Sequence, residues 1–485
     1  MDRRPAHPQL PHGLDRPGRL RRLLPLVLGA ALAGCATPHL PQLPRETPPG
    51  WQHAPADDAA LGPAPDLHGW WKAFNDTELD RLVERALAGN LTLQQAALRI
   101  GAARSLDSRT YAEYLPEAGI RTFAEPVPDN SASYFQMGFD AKWEFGLFGR
   151  AQSHARVTAG ELGVARSEAQ AARVSVVAEV ARTYVELRGA EQRLGLLEQA
   201  RKLAQDKAEL TATRQRLRLA SANELAQTQA GQASAEAALY EPRLEIERCR
   251  QQLAVLLGLD HAGTDLVAAG APPRLGSLRI ASAPADLLRT RPEIRRAENE
   301  VLKAAGELGL AQADLYPRLG IGGSLTYAAR VIGHTRLSDA DGIVTIGPAI
   351  DIPLLDWGAR QAVVDARDAA LSASVLAYRQ AVLEGVAEAE TALATLQQQS
   401  ERAAALARGI DGLASSAAAT VTLGRLGLAD GLDRTAADNA LLQARLEAAQ
   451  AEQARSIAFI ALYKSLGGAP LPPPEPAAET GKGAS

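Results

Sequence analysis

Cys35 is a side chain whose setting implies a covalent reaction. Arg16, Arg19, Arg21 and Arg22 precede an apolar run, Leu23 to Ala33, the charged and hydrophobic parts of a secretory signal. The run is too short for a spanning helix, which needs roughly 20 apolar residues. It ends Leu32-Ala33-Gly34-Cys35, the pattern of a lipobox, in which cleavage precedes the cysteine and its sulfur takes a diacylglycerol. Acyl chains contribute about 0.8 kcal/mol per buried CH₂, so several together hold a protein on a membrane. An ordinary signal with a chance cysteine is the plainer alternative.

Asp430 and Asp433 are the second candidates. Three residues apart, they share one helix face, and an acidic helix start is favoured by the helix dipole in any exposed setting. Little else suggests reactivity. The eight His are scattered without an HExxH or other paired spacing, so no metal or other cofactor is expected. There is no nucleophile elbow, phosphate loop or clustered triad, and hence no enzyme reading. The net charge of −4 gives no basic field for nucleic acid. Cys249 lies in the charged helical run Glu247-Arg248-Cys249-Arg250 and reads as an incidental thiol; two cysteines make no disulfide framework.

The elements that must carry these residues are long. Aromatics are only 4 % of the 485 residues, and the abundance of Ala, Leu, Arg, Gln and Glu favours helices. Thr37 to Pro65 is Pro-, Ala- and Asp-rich and reads as an extended tether. Helix signals begin at Trp70-Trp71, with caps available at Asn75-Asp76-Thr77, and a second helix follows the break at Gly89-Asn90 and ends at Leu115-Pro116. In Tyr134 to Phe145 the odd positions Phe135, Met137, Phe139, Ala141, Trp143 and Phe145 are apolar or small, against Gln136, Gly138, Asp140, Lys142 and Glu144. That period of two, over roughly 9–11 residues, suits a tilted membrane strand and equally a half-buried soluble one. Gly119 to Val127 is its expected partner, through a turn rich in Pro126, Pro128, Asp129 and Asn130.

From Gln152 to about Ala220 a helical pattern runs without proline. A helix of some 60 residues would be roughly 90 Å long, a length suited to a coiled coil or tube. Ser221 opens a returning helix that closes at Leu257-Gly258, and Pro242 should kink or interrupt it. The chain then repeats itself. A helix opened by Asp286-Leu287-Leu288-Arg289 and Arg291-Pro292-Glu293-Ile294 stops at Tyr316-Pro317, strands are expected over Leu319 to Tyr327 and Ile343 to Ile352, and Trp357-Gly358 leads into a second proline-free helix. That helix turns near Gly424 to Gly431 and its return closes at Leu466-Gly467-Gly468. The offsets are 201 from Pro116 to Pro317, 209 from Gly149 to Gly358 and 210 from Gly258 to Gly468, a tandem duplication. Four strands cannot close a barrel, and open edges in lipid cost several kcal/mol per unpaired group. The chain must therefore oligomerise, as a dimer with eight strands or a trimer with twelve. A lipid-anchored periplasmic coiled-coil scaffold explains the lipobox and helices but not the repeated strands.

Several motifs carry a resemblance: Trp70-Trp71 with Phe74-Asn75-Asp76, Asn90-Leu91-Thr92-Leu93, Trp143-Glu144-Phe145 with Phe148-Gly149-Arg150, Arg291-Pro292-Glu293-Ile294 with Ala297-Glu298, Tyr316-Pro317, and Tyr463 with Leu466-Gly467-Gly468. Together they cover nearly the whole mature chain. They make it resemble an outer-membrane efflux protein of the TolC/OprM class, in its NodT-like lipoprotein branch. The resemblance implies a membrane α+β fold, the TolC-like α/β-barrel. Four transmembrane strands per chain form a 12-stranded barrel as a homotrimer, above a long coiled-coil periplasmic helical barrel. It implies passive export of small molecules through a channel docked on a periplasmic adaptor and an inner-membrane pump, usually of the resistance-nodulation-division type. A type I protein-secretion duct shares the architecture.

By the same resemblance, Gly424 followed by Asp430 and Asp433 reproduces the family's periplasmic gate, and threefold symmetry would gather both carboxylates into acidic rings. Gly431 departs from the family's bulkier residue, which points to a looser or shifted tip. Ala36 rather than Asp after Cys35 resembles enterobacterial lipoproteins sent to the outer membrane. The expected organisation is 1–34 signal peptide, 35–69 lipidated tether, 70–260 first repeat, 261–284 linker, 285–468 second repeat and 469–485 disordered tail. The Arg291 and Trp143 motifs are expected to be structural punctuation.

Overall fold

A computed structural model describes residues 40–43, 50–53, 66–125, 134–263, 266–268, 270–276, 291–330 and 342–471. The segments expected to be the signal peptide, most of the tether, part of the linker and the tail beyond 471, together with Cys35 and residues 126–133 and 331–341, lie outside the described residues. The first half runs α1 (Thr77–Gly89), α2 (Leu91–Arg109), β1 (Glu117–Glu125), β2 (Tyr134–Glu144), α3 (Arg150–Arg216), α4 (Ala222–Ala237) and α5 (Tyr240–Leu256). The second runs α6 (Pro292–Ala313), β3 (Arg318–Arg330), β4 (Gly342–Asp351), α7 (Ala359–Arg425) and α8 (Gly431–Ser465). Both α3 and α7 have 67 residues, or roughly 100 Å at 1.5 Å per residue. The chain folds as two compact units, each drawing on both halves.

The first unit holds residues 108–158 and 302–371. Its four strands form one antiparallel sheet in the order β1-β2-β3-β4. Alternation places Ile120, Met137, Phe139, Trp143, Ile321, Leu325, Val344, Ile346 and Ile350 on one face, and Glu117, Arg121, Asp140, Lys142, Ser324, Thr345 and Asp351 on the other. The polar face is laced across strands by Lys142–Glu117 at 3.2 Å and Ser324–Thr345 at 2.7 Å. The apolar face is bare: Val344 and Ile346 are 74 % and 82 % exposed. Where Trp143-Glu144-Phe145 leaves the sheet, the Trp143 indole donates to the Tyr114 carbonyl at 2.9 Å, and Phe148 (φ +52) stacks on Tyr316 at 5.0 Å. Arg150 then pairs with Asp314.

The second unit holds residues 42–107, 159–301 and 372–485 and the main core. Trp70 is fully buried, stacked on Tyr463 at 5.8 Å, and its indole donates to the Gly468 carbonyl at 3.0 Å. Asp76 caps α1 by accepting from the Glu78 and Leu79 N–H groups, and its second oxygen accepts from the Tyr184 hydroxyl at 2.8 Å. Asn90 caps α2 through Leu93 and donates to the Leu256 carbonyl at 2.8 Å. Its counterpart Arg291 is buried and donates to the Gly385 carbonyl and to Glu388, so α2 and α6, each preceding a strand pair, are both tied at their starts to a neighbouring helix. Proline at the first position of α6 costs no hydrogen bond.

One detail bears out the sequence reading at Pro242 and one, at the closing glycine, departs from it. The returning helix of the first repeat breaks at Ala238-Leu239, because Pro242 has no N–H to offer the preceding turn; α8 has no such interruption. The glycine equivalent to Gly258 (φ +74) is Gly467 (φ +78), not Gly468, so the offset there is 209, matching the rest of the long helices.

Candidate functional site

The two long hairpins turn through sequences that differ only at the third and sixth residues, Arg216-Leu217-Arg218-Leu219-Ala220-Ser221 and Arg425-Leu426-Gly427-Leu428-Ala429-Asp430. In each, the third residue is left-handed, Arg218 at φ +61 and Gly427 at φ +73. The next N–H reaches back five residues, Leu219 to the Arg214 carbonyl at 2.7 Å and Leu428 to Leu423 at 2.9 Å, which closes the helix end. The sixth residue caps the returning helix: Ser221 Oγ accepts from Glu224 N–H at 3.1 Å. Asp430 Oδ1 accepts from Leu432 and Asp433 N–H at 2.8 and 2.9 Å.

Asp430 and Asp433 are therefore brought together, but not as two neighbours on a helix face. Asp430 sits outside α8 in extended conformation, and Asp433 returns the favour by accepting from the Asp430 N–H at 2.9 Å. This is a capping box. The remaining Asp430 oxygen accepts from Arg214 Nη1 at 3.2 Å, which links the end of α3 to the start of α8. The Asp433 N–H foremost, then the Leu432 N–H and the Arg214 charge, hold the Asp430 carboxyl below the usual range against slight desolvation. Gly431 opens α8 against Leu210, whose Cδ1 would lie 3.3 Å from an added Cβ, so the glycine lets these two helices approach.

Sequence reasoning missed Arg214 and the tip leucines. Leu217, Leu219, Leu426 and Leu428 are each about two-thirds exposed, at 65, 66, 67 and 72 %. Aligning the halves at the 209 offset would have shown the shared turn. Cys35 lies outside the described residues. Among the described residues no His, Cys, Asp and Glu group is placed to hold a metal, and no helix is long and apolar enough to cross a membrane.

The sequence profile of the outer membrane efflux protein family matches residues 82–259 and 283–468. The chain belongs to that family. Nodulation protein T of Rhizobium leguminosarum bv. viciae is 27 % identical over 78 % of either chain. The cation efflux system protein CusC of Escherichia coli K12 is 25 % identical, over 92 % of this chain and 99 % of its own. The outer-membrane channel OprN has a similar structure, with TM-score 0.75, 27 % identity, and coverage of 88 % of this chain and 98 % of OprN. As an outer membrane efflux protein, the chain is the outer-membrane channel of a tripartite efflux system and not an enzyme. Its fold is TolC-like, a four-stranded sheet plus long helices that extend into the periplasm. The two matched segments reflect its internal duplication.

Proposed function

We propose that three copies join their sheets into one twelve-stranded barrel and pass small molecules passively from the periplasm to the outside. The observation that carries this is the sheet itself. It has one bare apolar face, one polar face and two unpaired edges, and in lipid each unpaired backbone group costs several kcal/mol. Three sheets give a lumen wide enough for cargo, where two would be filled by side chains. The paired hairpin tips, with exposed leucines flanked by Arg216, Arg218 and Arg425, form the end that meets a periplasmic adaptor and, through it, an inner-membrane pump of the resistance-nodulation-division type. Relatives 25 % and 27 % identical are named for cation efflux and pyoverdine export respectively, which fits a duct whose cargo is selected at the pump. Asp430, Asp433 and Arg214 form the periplasmic gate.

The purified protein should run as a heat-resistant oligomer in detergent and conduct ions in planar bilayers. A water-soluble monomer without conductance would overturn the channel. Cys35 anchors the mature chain through its acylated sulfur. Cys35→Ser should remove the mass of the acyl chains in whole-protein mass spectrometry; an unchanged lipid mass would place the anchor elsewhere.

A further inference from the structure

Two constant offsets relate the halves of the sheet. Adding 201 carries β1 onto β3 and adding 209 carries β2 onto β4, and together they carry the Glu117–Lys142 pairing onto Arg318–Asp351, which is the observed register. The chain therefore contains one example of the seam between the end of one repeat and the start of the next, namely β2 against β3. In that seam Lys142 faces Gly322, the Phe145 N–H donates to the Leu319 carbonyl at 2.9 Å, and Phe148 stacks on Tyr316. The matching end and start, β4 and β1, are the two free edges.

We propose that β4 pairs with β1 of a partner subunit in the register of the β2–β3 seam. Asp351 then stands opposite Arg121 of the partner subunit, and Trp357 covers Leu115 of the partner subunit. The inference rests on the ring assembly proposed above and adds the register to it. Trp357, the counterpart of Phe148, is 91 % exposed in the single chain and held at φ +56, with Leu354 90 % and Leu355 75 % exposed beside it. The seam gives these side chains cover. The charge pair is the kind of cross-strand contact that stabilises a ladder. Sliding the register by two residues either way would set the Trp357 indole against Glu113 or Glu117 of the partner subunit and would break the charge pair.

Backbone pairing agrees. Phe145 and Leu319 are a hydrogen-bonded pair, so Glu144–Gly320 and Lys142–Gly322 are non-hydrogen-bonded pairs. Pro353, the counterpart of Glu144, thus has no seam hydrogen bond to lose. Pro348 falls at a hydrogen-bonded position and costs one ladder bond in every register that closes the ring.

Asp351 and Arg121 of the partner subunit, as a non-hydrogen-bonded pair, would have Cα atoms about 4.5 Å apart, within disulfide range. A chain carrying Asp351→Cys with Arg121→Cys, oxidised in detergent, should form covalent oligomers up to three chain masses. Ile350→Cys with Thr122→Cys tests the same register one residue along. Asp351→Cys with Gly119→Cys is two residues out of register and should stay at one chain mass. Cys249 is buried, and burial foremost pushes its thiol up to about 11, so it stays out of the exchange. Cross-linking of the Gly119 pair, or of neither in-register pair in a protein that is oligomeric under reducing conditions, would overturn the register and leave the ring. A ladder topping out at another number of chains would overturn the trimer and leave the register. A monomer under reducing conditions would overturn both.

Discussion

Asp430→Ala combined with Asp433→Ala is expected to raise single-channel conductance in planar bilayers several-fold. The two carboxylates hold the first turn of α8 through the capping box, and Asp430 also ties it to Arg214 at the end of α3. The double change removes both devices. Two further variants separate them. Asp430→Ser keeps a cap, as Ser221 does in the first repeat, but removes the charge. Arg214→Ala removes the ion pair and leaves the box intact. If the tip is held shut by the α3–α8 link, both should raise conductance partway towards the double variant. The pH dependence follows from the lowered Asp430 carboxyl. Its contribution is fully present above the ordinary Asp value of about 3.9 and is lost as pH falls through the depressed one. Wild-type conductance should therefore rise on acidification below about pH 4, and the Asp430→Ser channel should lack that component. Unchanged conductance in the double variant would reject the gate while leaving the channel standing.

Gly258→Ala should be among the most damaging single changes in the second unit. Gly258 is left-handed at φ +74, and an added Cβ would lie 2.3 Å from the Gly89 carbonyl oxygen. Gly89 is equally confined, its own Cβ position lying 2.7 Å from the Leu257 carbonyl. The ends of α1 and α5 thus meet backbone to backbone, and neither atom is the far end of a flexible side chain. Left-handed strain together with overpacking should cost roughly 2–4 kcal/mol, seen as a lower midpoint in the loss of helical circular dichroism on heating. Gly427→Ala is the control. Gly427 has the same sign of φ, but nothing lies within 4 Å of an added Cβ, and the first repeat already carries Arg218 there. It should cost only about 1 kcal/mol. Equal losses at the two glycines would show that backbone conformation, not the close approach, sets the penalty.

The strands were legible because a sheet with one apolar and one polar face states its period plainly. Val344, Ile346 and Ile350 could be placed on one face from spacing alone, and the structure keeps them there. The long helices were legible from length and the lack of proline, and Pro242 announced the one interrupted return. The tip was harder. An N-capping Asp and a first-turn Asp share the spacing of two residues on one face, and only backbone conformation separates the arrangements. Arg214 could not be found from local pattern, since its partner lies 216 residues away. Gly467 and Gly468 are adjacent, so residue type could not say which is left-handed. The buried role of Arg291 was masked by its exposed-looking neighbours, Arg289 and Glu293.

The matched length of α3 and α7 has a consequence for how such a chain can change. The halves have diverged so far that few residues coincide, yet the helices still count 67 residues each. One inserted residue would turn everything beyond it by about 100° and advance it about 1.5 Å, swinging inward-facing side chains to the outside and misplacing the cap and its arginine. Spelling is therefore free to drift while arithmetic is not. Random single-residue insertions along α3 or α7 should be eliminated far more stringently than random replacements at the same positions.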